Sequence, residues 1–427
     1  MGKINVIGAG LAGVEAAFYL AEKGHEVHLF EKRPEHMTPA HQSGLFAELV
    51  CSNSLKSNRL DNACGLLKEE MRIMRSLTME AATLSQVPSG NALSVDRELF
   101  AQIITEKIRQ KPNIFIHKAD VKSLTDELTI LATGPLTSDE MVLELVRIIG
   151  TEALSFYDAS APIISRDSVD MSIAYYKSRY EQGDDSYLNC PFDKQNYYRF
   201  VEELSKAETV KLHAFESQYF EGCLPIEVLA KRGIDTLRYG PLKPKGLALD
   251  RQKPPYAVVQ LRQDNLIGSL YNIVGFQTNL TYREQERVFR LIPGLQNAEF
   301  VRFGLMHRNT YINSPAVLDE HLAIKNKNNV IVAGQLSGVE GYVESAATGI
   351  IAGIIANRLL AAKKPILPPT STIVGSLIRY VTKANPLDFS PMNANFGILE
   401  NANKRHREND IARSLVDIEK YWKEANE

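Results

Sequence analysis

The alternation of apolar and polar positions is sharpest at the start of the chain. Residues 3–7, KINVI, form a short apolar run rich in β-branched side chains, the pattern of a parallel strand buried on both faces. The glycine turn GAGLAG at 8–13 follows at once, and the apolar positions of EAAFYLAEKG then recur at helical spacing until Gly24 stops them. EVHLFE predicts a second strand that ends on Glu31. From residue 34 to about 64 the periodicity is lost around Cys51, and so long an irregular segment beside a glycine turn reads as a functional loop. Helical spacing returns over 66–82 and 96–110, followed by strands in NIFIH and in LTILATGP, which runs into Ala132-Thr133-Gly134.

Residues 151–290 carry more Tyr and Phe and lack regular strand–helix alternation, which predicts an inserted α+β domain. NVIVAG at 329–334 is again a buried parallel strand. GVEGYVESAATGIIAGIIANRLL after it is a glycine turn entering a helix, whose Ala346, Ala347, Gly349 and Gly353 permit close packing. PILPPT at 365–370 ends that helix, and the charged tail from Asn403 reads as helical with Trp422 as its only large anchor.

The first turn carries specific chemistry. Gly8 permits the tight bend, Gly10 lets backbone approach a pyrophosphate, and Gly13 lets the helix close on the strands, with Ala9, Leu11 and Ala12 completing the loop. The helix start then presents free N–H groups to phosphates. Glu31, 21 residues beyond Gly10, has the offset of a carboxylate for ribose hydroxyls. An acid there disfavours an NADP 2′-phosphate, although Lys32 and Arg33 soften that argument. A second glycine turn, with Gly334, Gly341 and Tyr342, lies near the other end of the chain. Two such turns fit FAD better than NAD alone, in a Rossmann-like α/β domain split by an insertion. This predicts an FAD-binding domain in two parts, 1–150 and 291–402, around an insert at 151–290, with a helical tail at 403–427.

Composition narrows the partners. With 49 Lys and Arg against 51 Asp and Glu, the formal charge of −2 excludes a uniformly basic nucleic-acid binder. Charge is nevertheless uneven: residues 229–262 carry eight Lys and Arg against two Asp, residues 356–383 five against no acid, and residues 120–158 two against eight acids. The first basic stretch starts just after Cys223, with Tyr239 and Tyr256 interleaved as stacking candidates for RNA. The alternative is a basic face scattered in three dimensions. Cys51, Cys64, Cys190 and Cys223 form no CxxC pair, and the histidines, His36, His41 and His117 among them, have no metal-ligand spacing, so reduced cytoplasmic thiols without a metal are expected. The apolar stretch GIIAGIIANRLLAA is interrupted by Asn357 and Arg358, so no membrane span is expected.

Several segments together resemble the bacterial folate- and FAD-dependent tRNA (uracil-5-)-methyltransferases: GAGLAG at 8–13, PAHQSGLFAELVCSNSLKSN at 39–58, FEGCLPIEVLAKRG at 220–233, YNIVGFQTNL at 271–280, LMHRNTYINSP at 305–315 and AGQLSGVEGYVESAATG at 333–349. The likeness covers nearly the whole chain, and flavoproteins that modify wobble uridines share the cofactor turns. It implies transfer of the methylene of 5,10-methylenetetrahydrofolate to C5 of a T-loop uridine, position 54, with reduction to methyl through FAD recharged by NADH or NADPH. C5 of uracil is a poor nucleophile until a thiolate adds at C6. The resemblance makes Cys223 that nucleophile and Cys51 an assistant near the flavin, although the two assignments are interchangeable; Tyr342 is a candidate to lie against the flavin or the pterin.

Plainer readings stand beside these. Cys64 and Cys190 read as small buried hydrophobes, Tyr342 could be a core aromatic, and His307 could be a structural histidine. The competing functions are the same chemistry on ribosomal RNA, a small-molecule flavin oxidoreductase, and a flavoprotein partner in a wobble-uridine complex.

Overall fold

The computed structural model describes residues 1–150, 154–179, 186–210, 224–250, 252–402 and 405–427. Strand β1 (Lys3–Ile7) is apolar on both faces, with Ile4 and Val6 fully buried, and it therefore sits inside a sheet. That sheet runs β16 (Ala323–Ile324), β17 (Lys327–Val332), β7 (Thr129–Leu131), β1, β2 (Glu26–Glu31), β6 (Ile114–Lys118). All its neighbours are parallel except the hairpin β16–β17. Segments from both ends of the chain thus build one Rossmann-like layer.

The middle of the chain makes a second sheet, antiparallel throughout: β10 (Tyr175–Tyr176), β11 (Tyr187–Phe192), β12 (Ala257–Gln263), β13 (Leu270–Ile273), β9 (Ile163–Ser165), β14 (Phe300–Arg302). Helices α6 (Lys194–Lys206), α7 (Ile226–Lys231), α8 (Thr236–Tyr239) and α9 (Tyr282–Phe289) share a core with it, in which Phe192, Tyr197, Phe200, Phe276 and Phe289 are buried. Part of the aromatic content that sets this region apart in sequence is that core. A ribbon of β8 (Leu154–Ala159) and β15 (Met306–Tyr311) and a small sheet of β3 (Ser54–Ser57), β5 (Ala92–Val95) and β4 (Gln86–Val87) complete the strands.

Helix α1 (Leu11–Glu22) packs along α11 (Tyr342–Leu360), and the small residues of α11 are what allow it. A Cβ on Gly349 would overlap the backbone of Ala12, and Gly353 faces Ala16 and Tyr19. Among the described residues, α11 is the one helix long and apolar enough to cross a bilayer, and most of it is buried inside the fold.

Two expectations need correction. The helix expected over 66–82 is two helices, α2 (Ala63–Ile73) and α3 (Leu77–Leu84), separated at Arg75, which has φ +59°. The break is fixed from outside the segment. The Glu15 carboxylate of α1, fully enclosed, accepts from Ser76 Oγ, from Leu77 N at 3.1 Å and from Thr78 N at 2.8 Å, capping the second helix. Trp422 is also not the tail's only anchor. In α13 (Arg407–Asn426) Ile418 and Tyr421 are buried more deeply, and Trp422 lies half-buried with its ring 5.8 Å from that of Tyr19. The remaining helices are α4 (Arg97–Arg109), α5 (Asp139–Ile149), α10 (Ser314–Val317) and α12 (Ile373–Lys383).

Glu70 of α2 ties the tail to this body. Its carboxylate accepts from Ile373 N and Val374 N at the start of α12, at 2.7 and 2.9 Å, and from Ser414 Oγ of α13 at 2.5 Å. Burial pushes its pKa up to about 7, against the lowering effect of those three donors. Because the folded value lies above the unfolded one, the protonated form is favoured in the native state. Stability from this group is therefore complete below about pH 4.5 and is lost as pH rises through about 7. When Glu70 is protonated, the Ser414 hydroxyl can turn to accept. Glu70→Gln is expected to flatten the pH dependence of chemical-denaturant stability between these limits; an unchanged slope would assign the dependence to other groups.

Candidate functional site

Where β1 ends, Gly8 adopts φ +98°, and a Cβ there would meet the Ala132 carbonyl. Gly13 packs against the Gly8 carbonyl, bringing α1 down onto the turn, whereas the space beside Gly10 is open to 4 Å. The Gly10 N-cap of α1 makes no side-chain hydrogen bond. The helix therefore offers its first N–H groups and the positive end of its dipole outward, as an anion site requires.

Glu31 closes β2 beneath this turn, nearly buried, and both of its oxygens are engaged by the protein. Oε2 accepts from Ala9 N at 3.0 Å and Arg33 Nη2 at 3.1 Å; Oε1 accepts from Arg33 N at 3.0 Å and Arg33 Nε at 2.9 Å. Burial raises its pKa, but the Arg33 guanidinium outweighs burial and leaves the carboxyl below its ordinary range. A ribose hydroxyl reaching Glu31 would have to share it with Arg33. The two cations beside it line the cavity and are each engaged by the protein, Arg33 on Glu31 and Lys32 with Nζ 3.1 Å from Leu136 O.

A cavity of about 420 Å3 opens from the turn. Gly8, Gly10, Leu11, Ala12 and Glu31 line it together with Gly334, Gly341, Tyr342 and Cys51. Ala9 and Gly13 support the turn from behind and are not part of the lining. Thr133 and Gly134, the turn after β7, face the same space.

The irregular loop carrying Cys51 is held from several directions. Tyr342, at the start of α11, uses its hydroxyl as an acceptor for Cys51 N at 2.7 Å and Ser52 N at 3.2 Å, and burial drives its pKa upward. Arg97 of α4 donates to Leu49 O at 3.0 Å and pairs with Asp264 at 3.1 Å. Arg302 of β14 donates to Ala40 O at 2.9 Å and Val50 O at 3.0 Å, and Arg262 of β12 to Ser52 Oγ at 2.7 Å and Asn53 Oδ1 at 2.9 Å. Behind the loop, the fully buried Lys68 amine donates to Leu55 O and Ser57 O at 2.7 and 2.6 Å. Cys51 Sγ itself lies 3.5 Å from Ala159 O.

None of these supports was legible in the sequence, since each joins residues far apart in the chain. Arg262 was counted in the basic stretch as a possible RNA contact, yet it is buried under the loop. Tyr256 is also corrected as a stacking platform: Arg238 covers its ring at 4.2 Å, and its hydroxyl meets Tyr198 and Asp235. Tyr239, 75% exposed, and the exposed Lys231, Arg232, Lys243 and Lys245 remain on the surface around α7 and α8.

Cys64 and Cys190 are buried, as expected of small hydrophobes; burial, with Glu344 nearby, pushes Cys64 up to about 11 despite Lys68, and burial pushes Cys190 up to about 12. Cys223 and the His307 side chain lie outside the described residues. Just past Cys223, Ile226 N donates to Gln277 O at 2.7 Å, and Gln277 lines the cavity.

The chemistry of the wall fits the FAD expected from the two turns. Besides the open helix start at Gly10 and the buried Arg33 Nη1, which is 3.6 Å from Glu48 Oε2 but makes no hydrogen bond among the described residues, two nearly or fully buried acceptors of the lining lack a hydrogen-bond partner among them: Asn309 Oδ1, in a residue 1% exposed, and Glu344 Oε2, in a residue 0% exposed. Burying such atoms unpaired is costly. Sequence motifs missed both; the signal available was only their position within LMHRNTYINSP and GYVESAATG.

Residues 3–364 match the family described as glucose inhibited division protein A, GIDA. The chain is 53% identical over 426 residues to the methylenetetrahydrofolate–tRNA-(uracil-5-)-methyltransferase TrmFO of Lactobacillus delbrueckii subsp. bulgaricus, covering 97% of each chain. It is 50% identical to the TrmFO of Ligilactobacillus salivarius, covering 99% of each. Among solved structures, GidA of Aquifex aeolicus in its form II crystal superposes with a TM-score of 0.73 at 16% identity, over 99% of this chain and 73% of that one. This last likeness concerns the fold alone.

Tyr342→Phe removes one acceptor shared by two backbone donors. Leaving the Cys51 and Ser52 N–H groups unpaired is expected to loosen the loop by about 1–3 kcal/mol, read as faster amide hydrogen exchange at residues 51 and 52. Unchanged exchange there would show that the hydroxyl does not hold the loop.

Proposed function

The chain belongs to the glucose inhibited division protein A family, among its methylenetetrahydrofolate–tRNA-(uracil-5-)-methyltransferases, and from that premise we propose that it is a cytoplasmic enzyme that methylates C5 of a tRNA uridine, in the T-loop at position 54. The observation that carries this reading is the single cavity that brings both glycine turns, the Cys51 loop and Gln277 of the inserted sheet to one space.

Bound FAD, recharged by NADH or NADPH, supplies the redox chemistry that carries the methylene of 5,10-methylenetetrahydrofolate onto uracil and leaves it as methyl. The chain's own residues bind, orient and shield. The open start of α1 at Gly10 would receive the pyrophosphate of the cofactor. Glu31 fixes the turn and, through Arg33, is itself fixed, so that its contribution to a ribose is secondary to holding Ala9 in place. Tyr342 lines the same cavity, with its hydroxyl committed to the Cys51 loop, and its ring would pack on a bound heterocycle.

The thiol of Cys223 adds to C6 of uracil, making C5 nucleophilic, and is expelled again when C5 gives up its proton. Cys51 assists at C5 or holds the site; exchange of the two roles is the alternative assignment. The exposed Lys231, Arg232, Lys243 and Lys245, with Tyr239, hold the RNA backbone and an unpaired base near the cavity. In domain terms, residues 1–150 and 291–402 form the cofactor body, 151–290 the insert on the RNA side, and 403–427 the tail, with β14 crossing from the second body segment into the insert's sheet.

The purified chain is expected to be yellow and to bleach with NADH or NADPH. It should label unmodified tRNA, and not ribosomal RNA, from labelled methylenetetrahydrofolate. Label arriving from S-adenosylmethionine, or a colourless protein that FAD cannot reconstitute, would overturn the reading. Cys223→Ala should abolish methylation with FAD still bound, whereas full activity in that variant would pass the nucleophile's role to Cys51.

A further inference from the structure

Gln277 stands out among the cavity residues that the chemistry above does not use. Its side-chain amide makes no hydrogen bond among the described residues, although it lines the same space as Cys51 and Tyr342. Its backbone is held on both sides. Its carbonyl accepts from Ile226 N at 2.7 Å, and on the two following residues the buried Glu227 carboxylate accepts from Thr278 Oγ1 at 2.9 Å and Asn279 N at 2.8 Å. Thr278 is fully buried, and Asn279 is tied further to Val210. A carboxylate that burial opposes is thus committed to fixing this short loop, while the Gln277 side chain, which lines the cavity, has no partner among the described residues.

The position of this amide indicates what it would meet. On one side its loop is clamped to the start of α7, the helix that bears the exposed Lys231 and precedes Arg232 and Tyr239. On the other, Thr278 packs against Gly304, which also abuts the Ser160 carbonyl. Ser160 follows Ala159, the residue whose carbonyl lies 3.5 Å from Cys51 Sγ. Gln277 thus shares the cavity with the Cys51 thiol, and its backbone is bonded to the start of the helix that leads to the cationic surface. A primary amide has one acceptor oxygen and a two-proton donor nitrogen in one plane, which matches a ring edge that presents C=O beside N–H. Uracil has such an edge at O4 and N3, adjacent to the C5 that reacts.

Resting on the function proposed above, we infer that Gln277 is the residue that grips the target base by this lactam edge, its Nε2 donating to O4 and its Oε1 accepting from N3–H. The contact holds C5 toward the cofactor side of the cavity while the thiol works at C6. The pterin of the folate has the same C=O and N–H edge, and the experiment separates the two sources.

The test compares the unsubstituted enzyme with Gln277→Ala and Gln277→Glu. The substrates are full-length tRNA transcripts carrying either uridine or 4-thiouridine at the target, whose sulfur is a weaker acceptor. Gln277→Ala should lower kcat/KM on uridine tRNA about 5- to 150-fold, with FAD content and melting temperature unchanged. The thio substitution should then penalise the unsubstituted enzyme and add little in Gln277→Ala. Gln277→Glu keeps the shape but presents oxygen to O4, and should be at least as impaired as the alanine variant. Equal thio penalties in the two enzymes would overturn the assignment, as would a fall in tetrahydrofolate affinity that matches the fall in kcat/KM, which would give the amide to the pterin. If the unsubstituted chain methylates no tRNA uridine, the underlying function fails first, before any substitution is read.

Discussion

Three guanidinium groups, that of Arg262 buried and those of Arg97 and Arg302 partly so, anchor the loop on which this site depends. Arg97, Arg262 and Arg302 come from separate elements and converge on the segment from Ala40 to Asn53, giving their N–H groups to its carbonyl and side-chain oxygens. Among the described residues only Arg97 of the three has a carboxylate directly against it, Asp264, which keeps its charge favoured in spite of burial; burial lowers the pKa of Arg262 and Arg302. The loop's oxygens are what make the other two positive charges tolerable there. The dependence is mutual, because an irregular segment without ladder partners would otherwise enclose unpaired carbonyls. Two of the arginines belong to the antiparallel sheet, so the wall containing Cys51 is set jointly by both halves of the molecule.

Glu31 shows the same economy of polar groups in a smaller compass. One carboxylate orders the glycine turn through Ala9 N and holds a neighbouring arginine in a bidentate pair. The spacing that marks a dinucleotide site in sequence here secures the geometry of the turn itself.

How far the sequence could be followed depended on the range of the interactions. β1, the start of α1 and β2 fall where periodicity and the glycines put them, because strand burial, helix spacing and the conformation of Gly8 are properties of a few adjacent residues. The close fit of α11 was also readable, since Gly349 and Gly353 announce a surface without side chains. The division between α2 and α3 was not, because a carboxylate from α1 imposes it. Charge misled in a similar way: Arg262 and Arg238 sit in a basic stretch of sequence, but one is buried under the Cys51 loop and the other lies on Tyr256. Asn309 Oδ1 and the Gln277 amide, without a partner among the described residues, have no sequence signature at all, since the absence of a partner exists only in three dimensions.

The sheet assembled from both ends of the chain has a consequence for synthesis. β7 ends at Leu131, but its neighbour β17 starts at Lys327, and the helix that covers α1 starts at Tyr342. At a ribosomal rate of roughly 5–20 residues per second, the first half of the nucleotide fold waits on the order of ten to forty seconds with one edge and one helix face uncovered. During that interval the antiparallel sheet emerges whole. Its completion brings β17 and α11 to an already formed partner, so the nucleotide site closes after the antiparallel sheet, with only α12 and α13 left to dock on α2.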